Sequence, residues 1–157
     1  MSTDTGAIDL QTEAATQALA ACIGARLRPG DTLLLDGGIG AGKTAFARAL
    51  IRAATGNPGE DVPSPTFTLV QTYATPRGEI WHADLYRLSH PDEARELGLA
   101  EAMEHAICLV EWPDRLGDLA PPGALTLWFE ALPHGPHRVR LSGPPPWPAR
   151  LEPCLAR

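Results

Sequence analysis

No stretch of this 157-residue chain holds the roughly 20 consecutive apolar residues that a membrane-spanning helix requires. The opening residues, Met1 to Gly6, are polar and acidic, with neither a basic cluster nor an apolar segment, so they do not read as a secretory signal. Cysteine is scarce. Cys22, Cys108 and Cys154 are odd in number and far apart, and no C-x-x-C pair or Cys/His cluster accompanies them. That argues against a disulfide framework and against zinc. The expectation is a reduced, cytoplasmic protein in which Cys22 and Cys108 are small buried apolar groups. A basic excess is also missing: 13 Lys and Arg face 19 Asp and Glu, for a net charge of −6. Such a balance disfavours a protein that grips nucleic acid through its phosphates, while leaving open a nucleic-acid pathway entered through a protein partner.

What is present points to one ordered domain. Apolar residues make up 44% of the chain, too many for disorder. Residues Gly37 to Thr44 read Gly-Gly-Ile-Gly-Ala-Gly-Lys-Thr, the G-x-x-x-x-G-K-[ST] pattern of a P-loop. The glycines let the backbone wrap a phosphate closely, since a Cβ at Gly37, Gly40 or Gly42 would oppose positive φ or block the approach. Lys43 can place its ammonium on the β- and γ-phosphates, and Thr44 can offer its hydroxyl to Mg²⁺. Thr32 to Asp36 reads as a buried strand just before the loop. Phe46, Ala47, Leu50, Ile51 and Ala54 recur at helical spacing after it, with Gly56 as the stop. Strand, glycine loop and helix is the order a phosphate site at a helix N-terminus needs.

The rest of the chain reads as alternating elements. Thr12 caps a helix expected from Glu13 to Leu27, and Pro29-Gly30 ends it. Asn57 to Pro65 is a loop. Phe67–Tyr73 and Glu79–Asp84 form a hairpin around Pro76 to Gly78. Pro91–Leu97 and Ala100–His105 are short helices broken at Gly98. Ile107–Trp112 is an apolar strand, and Ala124–Leu132 with Arg138–Leu141 is a closing antiparallel pair. The expected fold is α/β, a P-loop NTPase-like three-layer sandwich with a small mixed sheet over residues 1–143. The proline-rich residues 144–157 are expected to be an extended, poorly ordered tail.

Hydrolysis at a P-loop needs a metal ligand and a group that positions water. Ligands in open α/β sheets sit beyond the carboxyl ends of strands, where Asp84 and Glu111 fall. Either acid can hold Mg²⁺ while the other orients or deprotonates water; a solvated carboxylate at a strand end is the plain alternative for each. Thr66, in Ser64-Pro-Thr-Phe67, is either a switch residue that reaches the γ-phosphate or a turn residue capping local backbone. Trp112 either stacks on a base or partner, or packs. His82 either couples to Asp84 or is structural.

Taken together and in order, Gly-Gly-Ile-Gly-Ala-Gly-Lys-Thr, Ser-Pro-Thr-Phe, His82-Ala-Asp-Leu-Tyr-Arg87 and Ile107-Cys-Leu-Val-Glu-Trp-Pro113 resemble the bacterial TsaE family of tRNA threonylcarbamoyladenosine biosynthesis proteins, from about Ile8 to Leu141. The resemblance implies a small ATPase that uses ATP and Mg²⁺. It also implies TsaB and TsaD as partners in modifying the adenosine beside the anticodon, tRNA contact being indirect and no membrane involved. It assigns Gly40, Ala41, Gly42, Lys43, Thr44 and Ala45 to the ATP phosphates, with Thr44 and Glu111 on Mg²⁺ and Asp84 as the Walker-B-like acid. Thr66 is the implied switch threonine, and Trp112 and Glu13 lie near the nucleotide. The late hairpin departs from the family pattern: Gly135 is followed by Pro136 and His137, which makes Arg138 the substitute for the family's arginine. A small-molecule kinase lacks the expected arginine-bearing lid, and a guanine-reading switch lacks an N-K-x-D segment; these are the competing classes.

Overall fold

The structure, a computed structural model, describes residues 3–65, 68–133 and 135–155. Seven strands form one sheet in the order β1-β7-β6-β2-β5-β4-β3. They are β1 (Thr3–Leu10), β2 (Thr32–Gly37), β3 (Val70–Thr75), β4 (Gly78–Asp84), β5 (Ile107–Glu111), β6 (Leu125–Ala131) and β7 (His137–Gly143). The central four, β6, β2, β5 and β4, run parallel, whereas β1, β7 and β3 pair antiparallel at the two margins. This is the expected mixed sheet.

Helices cover both faces, which makes three layers. On one face lie α1 (Glu13–Gly24), α2 (Lys43–Thr55) and α5 (Trp147–Leu155), whose buried side chains meet Leu33, Leu35, Ile80, Ile107 and Leu109. On the other lie α3 (Pro91–Glu96) and α4 (Leu99–His105), packed on Leu34, Ala83, Cys108 and Val110. Alternate residues of β2, β4 and β5 thus go to opposite faces, as a period of two requires. The caps follow the local sequence. Thr12 accepts a hydrogen bond from the Ala15 amide at 3.0 Å, and α2 ends at Gly56 with φ 72°, the left-handed stop that glycine adopts most readily.

Four features depart from the sequence reading. Strand β1 has no alternating pattern to announce it; it exists because β7 offers a free edge, and it bulges between Asp4 and Ala7 around Gly6 at φ 99°. A 3₁₀ segment, Pro113–Leu119, follows β5. Within residues 144–157, expected to be a poorly ordered tail, Trp147–Leu155 form a helix: Trp147, Leu151 and Cys154, spaced one turn apart, bury against α1 and the sheet, and Pro148 sits in the first turn where its missing N–H costs least. The reading of the cysteines is corrected. Cys22 of α1 and Cys154 of α5 form a disulfide across a separation of 132 residues, a pairing no spacing could indicate. Cys108 alone is free, and burial pushes its thiol up to about 12. No helix among the described residues is long and apolar enough to cross a membrane.

Candidate functional site

The phosphate loop opens from the end of β2. Gly37, Gly40 and Gly42 take φ of 138°, 77° and 110°, in the region that glycine enters without a Cβ penalty. At Gly37 the demand is steric as well, because a Cβ there would run into the Phe129 carbonyl of neighbouring β6. Asp36 Oδ1 accepts the Gly37 amide at 2.8 Å and steadies the turn.

Lys43, the chain's one lysine, is only 5% exposed. Its Nζ donates to the Gly37 carbonyl at 2.6 Å and lies 3.4 Å from the centroid of the Trp112 ring, a cation–π contact. Burial lowers the pKa of this ammonium, an effect opposed by Glu111, Asp36 and Asp84.

The acids arrive from β5, which neighbours β2, and from β4 beyond it. In the parallel pairing of β4 with β5, Asp84 stands opposite Glu111, and in that of β2 with β5, Leu35 stands opposite Glu111. His82, Asp84 and Glu111 share the strand face of Ile80 and Leu109, which looks toward α2. Glu111 is 1% exposed, and its Oε1 accepts the Thr44 hydroxyl at 2.7 Å. Its Oε2 lies 2.7 Å from His82 Nε2. Asp84 is 7% exposed. Its Oδ1 accepts the Tyr86 amide at 3.0 Å. Burial raises its pKa, with Glu111 adding to the rise and the Tyr86 amide, His82 and Lys43 opposing it.

Trp112 takes φ 59° and ψ 55° immediately before Pro113, a left-handed conformation that costs an L-residue on the order of 1 kcal/mol or more. Its amide donates to the Leu35 carbonyl at 3.3 Å, and its ring meets Tyr86 at 4.9 Å between centroids. The strained backbone holds the indole over Lys43.

Beside the loop lies a cavity of about 670 Å³, lined by Glu13 of α1, Ala45, Arg48 and Arg52 of α2, and Pro136 and His137 of the late hairpin. His137 Nδ1 stands 3.6 Å from where a Cβ on Gly42 would be, so the cavity begins where the loop ends.

Of the residues named from sequence, the structure gathers Gly37, Gly40, Ala41, Gly42, Lys43, Thr44, Asp84, Glu111 and Trp112 at the loop, and Glu13 and Ala45 at the cavity. Thr66 lies outside the described residues. Arg138 is not brought in: its Nε donates to Asp9 Oδ1 at 2.8 Å, and strand alternation turns it to the face opposite His137. His137 is the residue the hairpin presents instead. His82 reaches Glu111 rather than Asp84. The spacing of His82 and Asp84 does signal a shared face, but only the β4–β5 register supplies the partner.

A hydroxyl and carboxylates beside a phosphate loop suit a small hard cation such as Mg²⁺, which keeps several waters and takes phosphate oxygens. The described residues form no cluster of three or more His, Cys, Asp or Glu that could hold a metal alone. Thr44 and Glu111 would fit a cation whose remaining ligands came from phosphate and water.

A glycine loop between a parallel strand and a helix, with two acids at adjacent strand ends, defines a P-loop NTPase-like protein. The family model described as "Threonylcarbamoyl adenosine biosynthesis protein TsaE" matches residues 10–138, and the chain belongs to this family. Proteins named "tRNA threonylcarbamoyladenosine biosynthesis protein TsaE" are 41% identical in Rickettsia felis over 78% of this chain and 71% of that protein. The Aquifex aeolicus protein of that name is 36% identical over 84% of this chain and 92% of its own length. The crystal structure of Bacillus subtilis YdiB superposes with a TM-score of 0.75 at 24% identity, covering 100% of this chain and 97% of that one, a likeness of fold.

Proposed function

We propose that this chain binds ATP with Mg²⁺, hydrolyses it, and thereby supports threonylcarbamoyladenosine modification of tRNA together with TsaB and TsaD proteins. The observation that carries the proposal is the convergence of Lys43, Thr44, Asp84 and Glu111, from three separate elements, on one glycine loop. Membership in the TsaE family supports the pathway; the choice of adenine rests on the family resemblance.

Lys43 exchanges the Gly37 carbonyl for phosphate oxygens, a charge-assisted contact that replaces a weaker one. Thr44 and Glu111 would hold the cation, which would supply charge neutralisation to the phosphates. Asp84, not engaged with Thr44, orients the attacking water and accepts its proton; its raised pKa brings it nearer to a working base. The cavity volume is that of an ordinary ligand pocket, and it is where the nucleoside end would lie. The sequence places no obvious arginine finger beside the loop, and a missing finger can cost ~10³–10⁵ in rate. Slow turnover by the isolated chain follows, with the partners supplying the missing group.

The test is ATP turnover and tRNA modification, each measured with and without purified TsaB and TsaD. Faster turnover with both partners, and modification that needs this chain, are expected. Turnover and modification indifferent to mixing would overturn the reading, and GTP binding tighter than ATP would overturn the choice of nucleotide.

A further inference from the structure

We propose that His82 is a positioning residue, whose imidazole fixes the Glu111 carboxylate so that Oε1 faces Thr44 and the cation site. This rests on the reading of the loop as a magnesium–nucleotide site. His82 is fully buried, and its Nε2 meets Glu111 Oε2 at 2.7 Å while the Thr44 hydroxyl donates to Oε1 at 2.7 Å. Each carboxylate oxygen thus has one task. A carboxylate acting as a metal ligand only accepts, so this role requires the ring to carry its proton on Nε2. Nδ1 is buried and without a hydrogen-bond partner among the described residues. That suits a bare lone pair better than an N–H, since an orphaned buried donor is the costlier of the two.

The strands make the arrangement rigid. β4 and β5 pair in parallel through Asp84–Glu111 and His82–Leu109, so His82 sits diagonally below Glu111 on the face that looks to α2. A glutamate has three side-chain torsions; without a donor on Oε2 it rotates, and the oxygen presented to Thr44 is no longer fixed. Partners of this kind, one bond removed from the ligand, typically change metal affinity or activity by about 10–100-fold when removed.

The experiment compares the wild type with His82→Gln, His82→Asn and His82→Leu. Affinity for a non-hydrolysable ATP analogue is measured with Mg²⁺ and with a chelator, alongside thermal melting. Gln places its amide nitrogen near the position of Nε2, and Asn near that of Nδ1. The expected result is a Mg²⁺-dependent gain in affinity reduced by about tenfold or more in Leu and Asn, restored largely by Gln, with chelator affinities unchanged. A Leu variant that keeps the full gain, or a Gln variant no better than Asn, overturns the proposal while leaving the functional reading intact. A wild type with no Mg²⁺-dependent gain overturns both. Should the variants fail to fold, nitrogen NMR of the wild-type ring in the nucleotide-free protein decides. A proton on Nε2 supports the role, and one on Nδ1 overturns it.

Discussion

At the N-terminal end of the parallel strands, Arg150 of α5 meets Asp31 just before β2. Nη2 lies 2.6 Å from Oδ2 and Nη1 3.3 Å from Oδ1. The same guanidinium donates to the Arg26 carbonyl and stacks 4.3 Å from the Trp147 ring, whose Nε1 donates to the Gly123 carbonyl at 2.7 Å. At the C-terminal end, Lys43 and Asp84 are buried with no such closure, while Glu111 is held by Thr44 and His82. Lys43 rests on a carbonyl and an aromatic face, Asp84 on one amide, and both have displaced pKa values. A guanidinium that pairs in two-pronged fashion with a carboxylate has used its charge on its own fold. On the proposed reading, the lysine and two carboxylates at the glycine loop keep theirs for a ligand that brings both phosphate and a cation. Perturbed groups gathered in a cleft mark functional sites more often than structural ones.

The sharpest way to break this contrast is to disarm the acids. Asp84→Asn should lower ATP turnover by ~10²–10⁴-fold, the range for a general base, with nucleotide affinity much less affected. Glu111→Ala should likewise lose turnover, and affinity only to the extent that Mg²⁺ is lost. Turnover unaffected in both would remove the C-terminal end from any chemistry. Lys43→Ala should weaken nucleotide binding by ~10–100-fold, the equivalent of about 1.5–3 kcal/mol for a charge-assisted contact, as read by nucleotide titration of the folded variant.

The other end should respond in the opposite sense. Arg150→Ala leaves Asp31 only the Arg28 amide; because both side chains keep some solvent contact, the loss is about 2 kcal/mol, below the range for fully buried pairs. Denaturant unfolding would register it, while turnover per folded molecule stays at the wild-type value. A collapse of turnover with stability intact would reverse the assignment of the two ends.

The smallest effects are in proton binding. The folded pKa of Lys43 lies below its unfolded value, so its ammonium deprotonates at lower pH than an ordinary lysine. Since Lys43 is the one lysine, side-chain acylation followed by mass spectrometry reports on it directly; it should begin at lower pH than in a free lysine side chain, and bound nucleotide should suppress it. For Asp84 the folded pKa is raised. Between the ordinary carboxylate value and the raised one, the native state holds a proton that the unfolded chain has released, so stability falls as pH rises through that window. Asp84→Asn should remove that part of the slope, measured by unfolding across mildly acidic pH.

Much of this was readable in advance for physical reasons. The glycine loop, the strand before it and the helix after it are contiguous, and their signals are local: positive φ demanded of glycine, and periods of two and 3.6. Asp84 and Glu111 were readable because apolar strands end at them. What escaped notice depends on partners far along the chain. Strand β1 is set by its neighbour rather than by its own alternation. Helix α5 hid behind Pro144, Pro145, Pro146 and Pro148, although Trp147, Leu151 and Cys154 keep helical spacing. Arg138 is the substitute for the family's arginine because residue type is visible in a sequence, whereas the side of a strand is not until its register is known.

The order of residues alone determined that this chain has a phosphate loop, two acids at strand ends and membership of a recognisable family, because each of those is a short-range pattern. Only the tertiary structure decided that Thr44 would meet Glu111 across 67 residues, that His82 would hold the other oxygen of that carboxylate, and that the C-terminal segment would close on α1 through Cys22 and Cys154. Those contacts follow from strand order and register, which arise when the whole sheet assembles.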